Sequence, residues 1–394
     1  MQHEYGMKVV EDNDGKAHAL VKQQQQLDSP TALQIFLDRI PVSCIPSINT
    51  CLVVDLKTGD SVKDAIQFLY EKNVCGAIIA DNHDNDDDFG RFSQHYMGYI
   101  DFPSLLLWSL DQCEKHKDPT TTFLTMLQQN PQIGQTKIGE LAKSFLWDPY
   151  FPVHLDDTLF HVLLLLSKHP RLEMVPVIHN KSDSKVIGFI TQNDVTQLLL
   201  RSSGLEWFDG IANKALSEFC FEGQEHMNIC VYGDQSLAEG LGVLWESRIG
   251  AVAIVNRGNE KIMGCITSNH VLLIFQDNKL FNMRKNLSMK EFIDMEAPKK
   301  DSHGLITPQV YSPVTATTSD TLKHAMNQLV KSKANVCFLI DDLKKVMGMV
   351  TLRDIIVQFA PPCIDSGFHG GGFFDSALEQ TGCQLKNGTI ICDH

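Results

Sequence analysis

Two short segments of this sequence place an aspartate three residues after a threonine. They are Thr191-Gln-Asn-Asp194 and Thr351-Leu-Arg-Asp354, and each follows a glycine and two apolar residues. A carboxylate at a helix start can accept hydrogen bonds from both hydroxyls of a ribose. A threonine beside the same helix start can donate to a phosphate, helped by the positive helix end. Residues of these types could therefore hold a ligand that carries a ribose and a phosphate, and the alternative is that they only cap helices.

The sequence shows no set of residues that predicts catalysis or metal binding. It lacks the serine-hydrolase elbow, the phosphate-binding P-loop, His-Glu-x-x-His and Cys-x-x-Cys. Near the C-terminus, the spacings of Cys363, His369, Cys383, Cys392 and His394 match no zinc-ligand pattern. We therefore predict a protein that is not an enzyme, holds no metal and requires no cofactor.

Composition and charge restrict the partners of the chain. Of its 394 residues 43% are hydrophobic and 21% charged, which is typical of a protein with a well-formed core. The formal net charge of −14 repels phosphate backbones and anionic lipids, so we expect neither nucleic acid nor membrane as a partner. The polar N-terminus has no signal-peptide core, so we predict a cytoplasmic or nuclear protein.

A fourfold repeat must position the candidate residues. Each copy consists of a capped amphipathic helix, a short apolar strand, a second strand led by glycine, and another helix. The predicted helix caps are Ser61, Thr158, Ser236 and Thr321, and the glycines are Gly98, Gly188, Gly264 and Gly348. Four matches at similar internal spacing indicate an internal repeat rather than chance similarity within one continuous α/β domain.

The repeat predicts an α/β fold made of α+β units that close in pairs. One unit alone would expose an apolar sheet face, which pairing with a second unit buries. We expect repeats 1 and 2 to form one module and repeats 3 and 4 another. The predicted segments are a flexible tail 1–30, repeats at 38–112, 136–202, 211–278 and 287–361, and a C-terminal tail 362–394.

The segment Gly-hydrophobic-Ile/Val-Thr-x-x-Asp between a strand and a helix resembles the CBS domain. Four such units without an enzyme or channel domain resemble the gamma regulatory subunit of the AMP-activated, or sucrose-non-fermenting, protein kinase. The long tails and the acidic insert 81–96 are most similar to its plant gamma-like branch. The resemblance implies four CBS repeats in two pseudo-twofold pairs that form a flattened disk. It also implies AMP, ADP or ATP as possible ligands in clefts between repeats, and a kinase alpha subunit and a beta scaffold as partners.

The sequence departs from the pattern of that family at several positions. Repeats 1 and 3 have Ser104 and His270 where the aspartate is expected, so two of four sites keep it. The basic residues expected before the first main strand of repeat 2 are replaced by Glu173 and Met174. Arg248 in repeat 3 remains basic, and Arg353 could serve as a substitute cation.

Two functions stay open at this point. The first is a kinase regulatory subunit that senses adenine nucleotides, and the second is a ligand-free scaffold that has lost nucleotide binding. The candidate nucleotide-binding residues of the first are Thr191, Asp194, Arg248, Thr351, Arg353 and Asp354.

Overall fold

The structure is a computed structural model. It describes residues 29–45, 48, 52–80, 96–114, 122–142, 148–169, 172–180, 183–219, 221, 229–295, 312–360, 383–386 and 389–392. Residues 1–28 of the predicted tail, most of the acidic insert and the glycine run 370–372 lie outside these ranges. Helix α1 (Ser29–Leu37) begins inside the segment that was predicted as a tail.

Four units share one order of elements, strand–helix–strand–strand–helix, as the repeat predicts. Repeat 1 contains β1 (Asp55–Lys57), α2 (Val62–Lys72), β2 (Gly76–Ala80), β3 (Tyr96–Asp101) and α3 (Phe102–Glu114). Repeat 2 contains β5 (Val153–His154), α7 (Leu159–Lys168), β6 (Met174–Asn180), β7 (Asp183–Thr191) and α8 (Gln192–Leu200). In both, the first strand runs parallel to the second, and the second runs antiparallel to the third.

Repeats 3 and 4 follow the same scheme. Repeat 3 contains β8 (Cys230–Tyr232), α10 (Leu237–Ser247), β9 (Ala251–Val255), β10 (Ile262–Thr267) and α11 (Val271–Gln276). Repeat 4 contains β11 (Thr315–Ala316), α14 (Leu322–Ser332), β12 (Val336–Ile340), β13 (Val346–Thr351) and α15 (Leu352–Phe359). The predicted α/β fold with four repeats is thereby confirmed, whereas the boundaries proposed for each repeat remain predictions.

Short elements lie between the repeats. They are α4 (Phe123–Gln129), α5 (Pro131–Gly134), α6 (Ile138–Ala142), β4 (Asp148–Pro149), α9 (Glu206–Ala212), α12 (Asn278–Met283) and α13 (Met289–Met295). Strand β4 pairs with β3 and so adds a fourth strand to the sheet of repeat 1. None of the helices in the described ranges is long and apolar enough to cross a membrane.

The four predicted caps occupy the N-cap positions of the first helices. In each case the side-chain oxygen accepts a hydrogen bond from the backbone N–H three residues later. At Ser236 the Glu239 carboxylate also accepts from the cap's own backbone N–H at 2.7 Å, which completes a capping box.

Within each pair, the segment that precedes one repeat contacts the other repeat, and we call these the exchanged segments. The segment before repeat 1 bridges to the cap of repeat 2 through Pro41 and Thr158, and Lys137 before repeat 2 bridges back to Ser61. The second module has the same reciprocal bridges, Ala215 to Thr321 and Ser288 to Ser236. This reciprocity is the pseudo-twofold relation expected within each pair.

The hydrophobic core has two kinds of interface. Sheet faces meet inside each module, where a cluster that includes Ile78 and Phe189 joins repeats 1 and 2, and one that includes Ala253 and Phe338 joins repeats 3 and 4. Helices meet between modules, where one cluster joins repeats 1 and 3 and another joins repeats 2 and 4. Each repeat is therefore buried on two sides by two different neighbours.

Two of the signature glycines lie where an exchanged segment approaches the sheet. A Cβ at Gly188 would come within 1.8 Å of the backbone oxygen of Ile48, which precedes repeat 1. A Cβ at Gly264 would come within 2.7 Å of Cδ1 of Ile293, which precedes repeat 4. The glycines thus allow the close packing of exchanged segments that the pairing requires.

The chain ends in a hairpin within the predicted C-terminal tail. Strand β14 (Cys383–Lys386) pairs antiparallel with β15 (Thr389–Cys392).

Candidate functional site

The candidate residues of repeats 2 and 4 form two capping boxes with nearly identical geometry. Thr191 ends β7 and caps α8, and Asp194 stands three residues into that helix turn. The Asp194 Oδ2 atom accepts from the Thr191 backbone N–H at 2.8 Å and from its hydroxyl at 2.7 Å. Thr351 and Asp354 make the same two bonds at 2.8 and 2.7 Å at the start of α15. The threonines occupy the N-cap positions and the aspartates complete each box from the third helical position, so the alternative that these residues only cap helices stays open.

These bonds limit what each box can offer to a ligand. A threonine hydroxyl has one proton, and here that proton is donated to the aspartate. A phosphate could accept it only if the threonine gave up this bond. Asp194 is partly exposed, whereas Asp354 is only 6% exposed. The aspartates, which still have acceptor capacity, are therefore better able than the threonines to bind a ligand, and Asp194 is the more accessible of the two aspartates.

Repeats 1 and 3 use other residues for the same local task. In repeat 1 the aspartate and the hydroxyl residue have changed places. Asp101 ends the third strand, and its Oδ1 atom accepts from the Ser104 N–H at 2.8 Å. In repeat 3 the Nδ1 atom of His270 accepts from the Thr267 N–H at 2.8 Å. Nδ1 is thus the acceptor, so the neutral ring carries its proton on Nε2. His270 is 1% exposed, and burial lowers its pKa to about 4. Neither position resembles a ribose-binding aspartate.

An acidic pair lies beside the box of repeat 2. Glu173 is adjacent to it, since the N–H of Gln192 donates to the Glu173 carbonyl at 3.2 Å. Glu173 is exposed, yet the protein atoms around it raise its pKa to about 7, with a smaller contribution from the nearby Asp101 of repeat 1. Burial also raises the pKa of Asp101. Carboxyl groups therefore stand in the cleft between repeats 1 and 2 where a phosphate would need a cation, and any charge they carry is negative.

The equivalents of Glu173 in the other repeats are recognised by the same backbone hydrogen bond. In each repeat the N–H of the first residue after the third strand donates to a carbonyl oxygen. The acceptors are Cys75 in repeat 1, Gly250 in repeat 3 and Asn335 in repeat 4, at 2.7, 3.1 and 3.1 Å. Gly250 of repeat 3 and Asn335 of repeat 4 therefore occupy the position that Glu173 has in repeat 2. A Cβ at Gly250 would meet nothing within 4 Å, so there is open space at that point. The cleft between repeats 3 and 4 thus has neutral residues and room where the first pair has carboxylates.

The two candidate arginines have different surroundings. Arg248 ends α10 in the left-handed conformation, with φ of 55°, is exposed, and stacks its guanidinium 3.4 Å from the ring centre of Trp245. It lies two residues before Gly250. Arg353 instead donates from Nη2 to the carbonyl oxygen of Ser167 at 3.3 Å, which joins repeat 4 to the end of α7 in repeat 2. Arg248 is therefore an exposed cation two residues before Gly250, whereas Arg353 contributes to the contact between modules.

Lys333 was missed by the sequence reasoning. It ends α14 in the same left-handed conformation as Arg248, with φ of 51°, and it is exposed. Lys333 lies two residues before Asn335, just as Arg248 lies two residues before Gly250, and this equal spacing is visible in the sequence. No group of three or more His, Cys, Asp or Glu in the described ranges is arranged to hold a metal.

Comparisons with known proteins agree with this architecture. The CBS domain family matches residues 142–201 and 306–360, which include the two Thr-x-x-Asp boxes. The SNF1-related protein kinase regulatory subunit gamma-1 of Arabidopsis thaliana is 25% identical over 91% of this chain and 89% of its own length. A gamma-1-like subunit of the same plant is 24% identical over 91% of this chain and 96% of its own length.

The fold is also found in a solved structure. A Methanocaldococcus jannaschii protein, described as a candidate archaeal homologue of the AMPK gamma subunit, superposes with a TM-score of 0.51. It is 14% identical and covers 78% of this chain and 96% of its own. Two segments of the chain thus match the CBS domain family, and over most of its length the chain resembles the gamma regulatory subunits of plant SNF1-related protein kinases.

Proposed function

We propose that this chain is a non-catalytic regulatory subunit of an SNF1-related protein kinase complex. The observation that carries the proposal is similarity to kinase regulatory gamma subunits over nine-tenths of the chain, joined to a fold of four paired repeats. This role implies a kinase alpha subunit and a beta scaffold as partners. It also implies a location in the cytoplasm or nucleus, where such kinases meet their substrates.

Co-expression with alpha and beta subunits of an Arabidopsis SNF1-related kinase tests the assembly. We expect the tagged chain to elute with both subunits as one species in size-exclusion chromatography. An Asp354→Asn variant is the matched control, because a partner surface should not depend on a side chain that is 6% exposed. Elution of the unmodified chain by itself would contradict the proposal.

If the chain senses a nucleotide, the cleft between repeats 3 and 4 is the better site. Arg248 is exposed two residues before Gly250, Gly250 has open space around it, and Asn335 stands where repeat 2 has Glu173. A phosphate group that enters this cleft would be attracted by the guanidinium. In the first cleft Glu173 and Asp101 offer no cation, and each repels a phosphate when it is ionised. We therefore expect adenine nucleotide at one site per chain.

The alternative, a ligand-free scaffold, has its own support. Both threonine hydroxyls are committed to their aspartates, and Asp354 is almost fully buried. Calorimetric titration of the purified chain with AMP, ADP and ATP separates the two functions. A stoichiometry near one favours sensing, whereas absence of heat at millimolar ligand with intact complex assembly favours the scaffold.

A further inference from the structure

The hairpin at the end of the chain has a cysteine at each open end. Cys383 and Cys392 are directly opposite each other in the register of β14 and β15. The inner pair, Lys386 and Thr389, is connected by Asn387 and Gly388. Asn-Gly is the dipeptide that most favours a two-residue connection between antiparallel strands.

The register brings the backbones of the two cysteines within reach of a disulfide. Residues directly opposite each other on antiparallel strands have Cα atoms about 4.5 or 5.5 Å apart, depending on the kind of pair. Cys383 and Cys392 are such opposite residues. Both separations lie within the range of roughly 4.4–6.8 Å that a disulfide spans.

We propose that Cys383 and Cys392 form a reversible intrachain disulfide that closes the C-terminal hairpin. The oxidant is a small-molecule disulfide such as oxidised glutathione. One thiolate attacks it to give a mixed disulfide and release one glutathione thiol, and the second cysteine then displaces the other. The net change is one new S–S bond in the chain, one broken in the oxidant, and two electrons and two protons transferred to two glutathione thiols. Excess reduced glutathione reverses the reaction.

Three cysteines of the core are poor competitors for this oxidation. Cys113, Cys265 and Cys337 are buried in the core, and burial raises their pKa values to about 12, 11 and 12. Because the thiolate is the attacking species, these thiols react slowly. A two-stranded hairpin by itself is only marginally stable, so a covalent link between its ends determines whether it stays closed. This site is independent of the proposed kinase role.

Mass spectrometry of the full-length protein tests the proposal. The protein is incubated with oxidised glutathione, its free thiols are alkylated, and it is digested with trypsin without reduction. Cleavage after Lys386 places Cys383 in the peptide 354–386 and Cys392 in the peptide 387–394. We expect these two peptides to be joined, with fragmentation assigning the link to Cys383. Alkylation of both cysteines, or a link from Cys392 to Cys363, would overturn the proposal.

Three variants separate the hairpin register from general thiol reactivity. Cys363→Ser and Cys44→Ser should keep the link between the two peptides. Gln384→Cys combined with Cys383→Ser moves the thiol one position, to the other face of the hairpin, and should lose the link. If the shifted variant formed the link as readily as the natural chain, proximity in the hairpin would not be its cause and the inference would fail.

Discussion

In repeat 2 the Thr191–Asp194 box lies beside Glu173, with Asp101 of repeat 1 nearby, whereas the equivalent box of repeat 4 lies beside Asn335. The boxes themselves make the same hydrogen bonds within about 0.1 Å. Two boxes with the same local geometry therefore have different electrostatic surroundings. The residue before the second strand, together with the partner repeat's side chain near it, distinguishes the two clefts.

The largest difference that we predict between the two pairs concerns stability. Gly188→Ala should lower the free energy of unfolding by about 3 kcal/mol, because the new Cβ meets the Ile48 backbone, which cannot move aside cheaply. Gly264→Ala should cost about 1 kcal/mol, since it meets the movable end of the Ile293 side chain. Thermal or denaturant unfolding measures both. Equal losses of stability would show that the segments around Ile48 and Ile293 are packed equally tightly against the two glycines.

The next effect concerns nucleotide affinity. Asp354→Ala should weaken AMP binding by about 10- to 100-fold, the usual loss for a hydrogen bond to a charged group. Asp194→Ala should leave the affinity unchanged, because its cleft repels phosphate. Calorimetry with AMP measures both variants, and their melting temperatures control for loss of the caps. A larger loss in Asp194→Ala than in Asp354→Ala would reverse the assignment of the clefts.

A smaller effect concerns the pH dependence of stability. The pKa of Glu173 is raised to about 7, so between roughly pH 4.5 and 7 the folded chain binds more protons than the unfolded one. Stability contributed by the protonated group is present at low pH and is lost as the pH rises through 7. Glu173→Gln should therefore be more stable than the natural chain at pH 8, by about 1 kcal/mol because water reaches the side chain.

Unfolding at pH 5 and pH 8 checks this prediction. The gain from Glu173→Gln should be largest at pH 8 and should shrink toward pH 5. The same variant should also bind AMP more tightly at pH 8 if nucleotide enters the first cleft at all. A stability gain that is equal at both pH values would mean that Glu173 does not titrate in this range.

The smallest effect concerns the contact between modules. Arg353→Gln removes the hydrogen bond to the Ser167 carbonyl and should cost about 0.5–1.5 kcal/mol. Denaturant unfolding measures the loss, and Arg257→Gln, which removes an exposed ion pair with Asp234, is the matched control with little effect. If nucleotide affinity fell far more than stability in Arg353→Gln, the arginine would belong to the ligand site after all.

Local features of the fold could be predicted from the sequence. Helix caps such as Ser236 and glycine-led strands such as Gly188-Phe189-Ile190-Thr191 depend on neighbours within a few residues, so their signals are visible in the chain itself. The final hairpin had a signal too, because Asn387-Gly388 separates two short strands, although the sequence analysis predicted only a C-terminal tail there.

The rest depended on contacts between distant residues. The bridge from Pro41 to Thr158 and the pair of Asp101 with Glu173 join different repeats. The substitution at Glu173 was visible as a departure from the resembled family, but the carboxylate opposite it was not. The same holds for Arg353, whose carbonyl partner is Ser167, 186 residues earlier in the chain.

The central claim is that the chain regulates a kinase rather than acting by itself. Phosphotransfer by an Arabidopsis SNF1-related alpha–beta complex should be measured with and without the purified chain, over a range of AMP concentrations. We expect activity to change when the chain is added, in proportion to the fraction that co-elutes with the kinase. Unchanged activity together with absence of co-elution would contradict it.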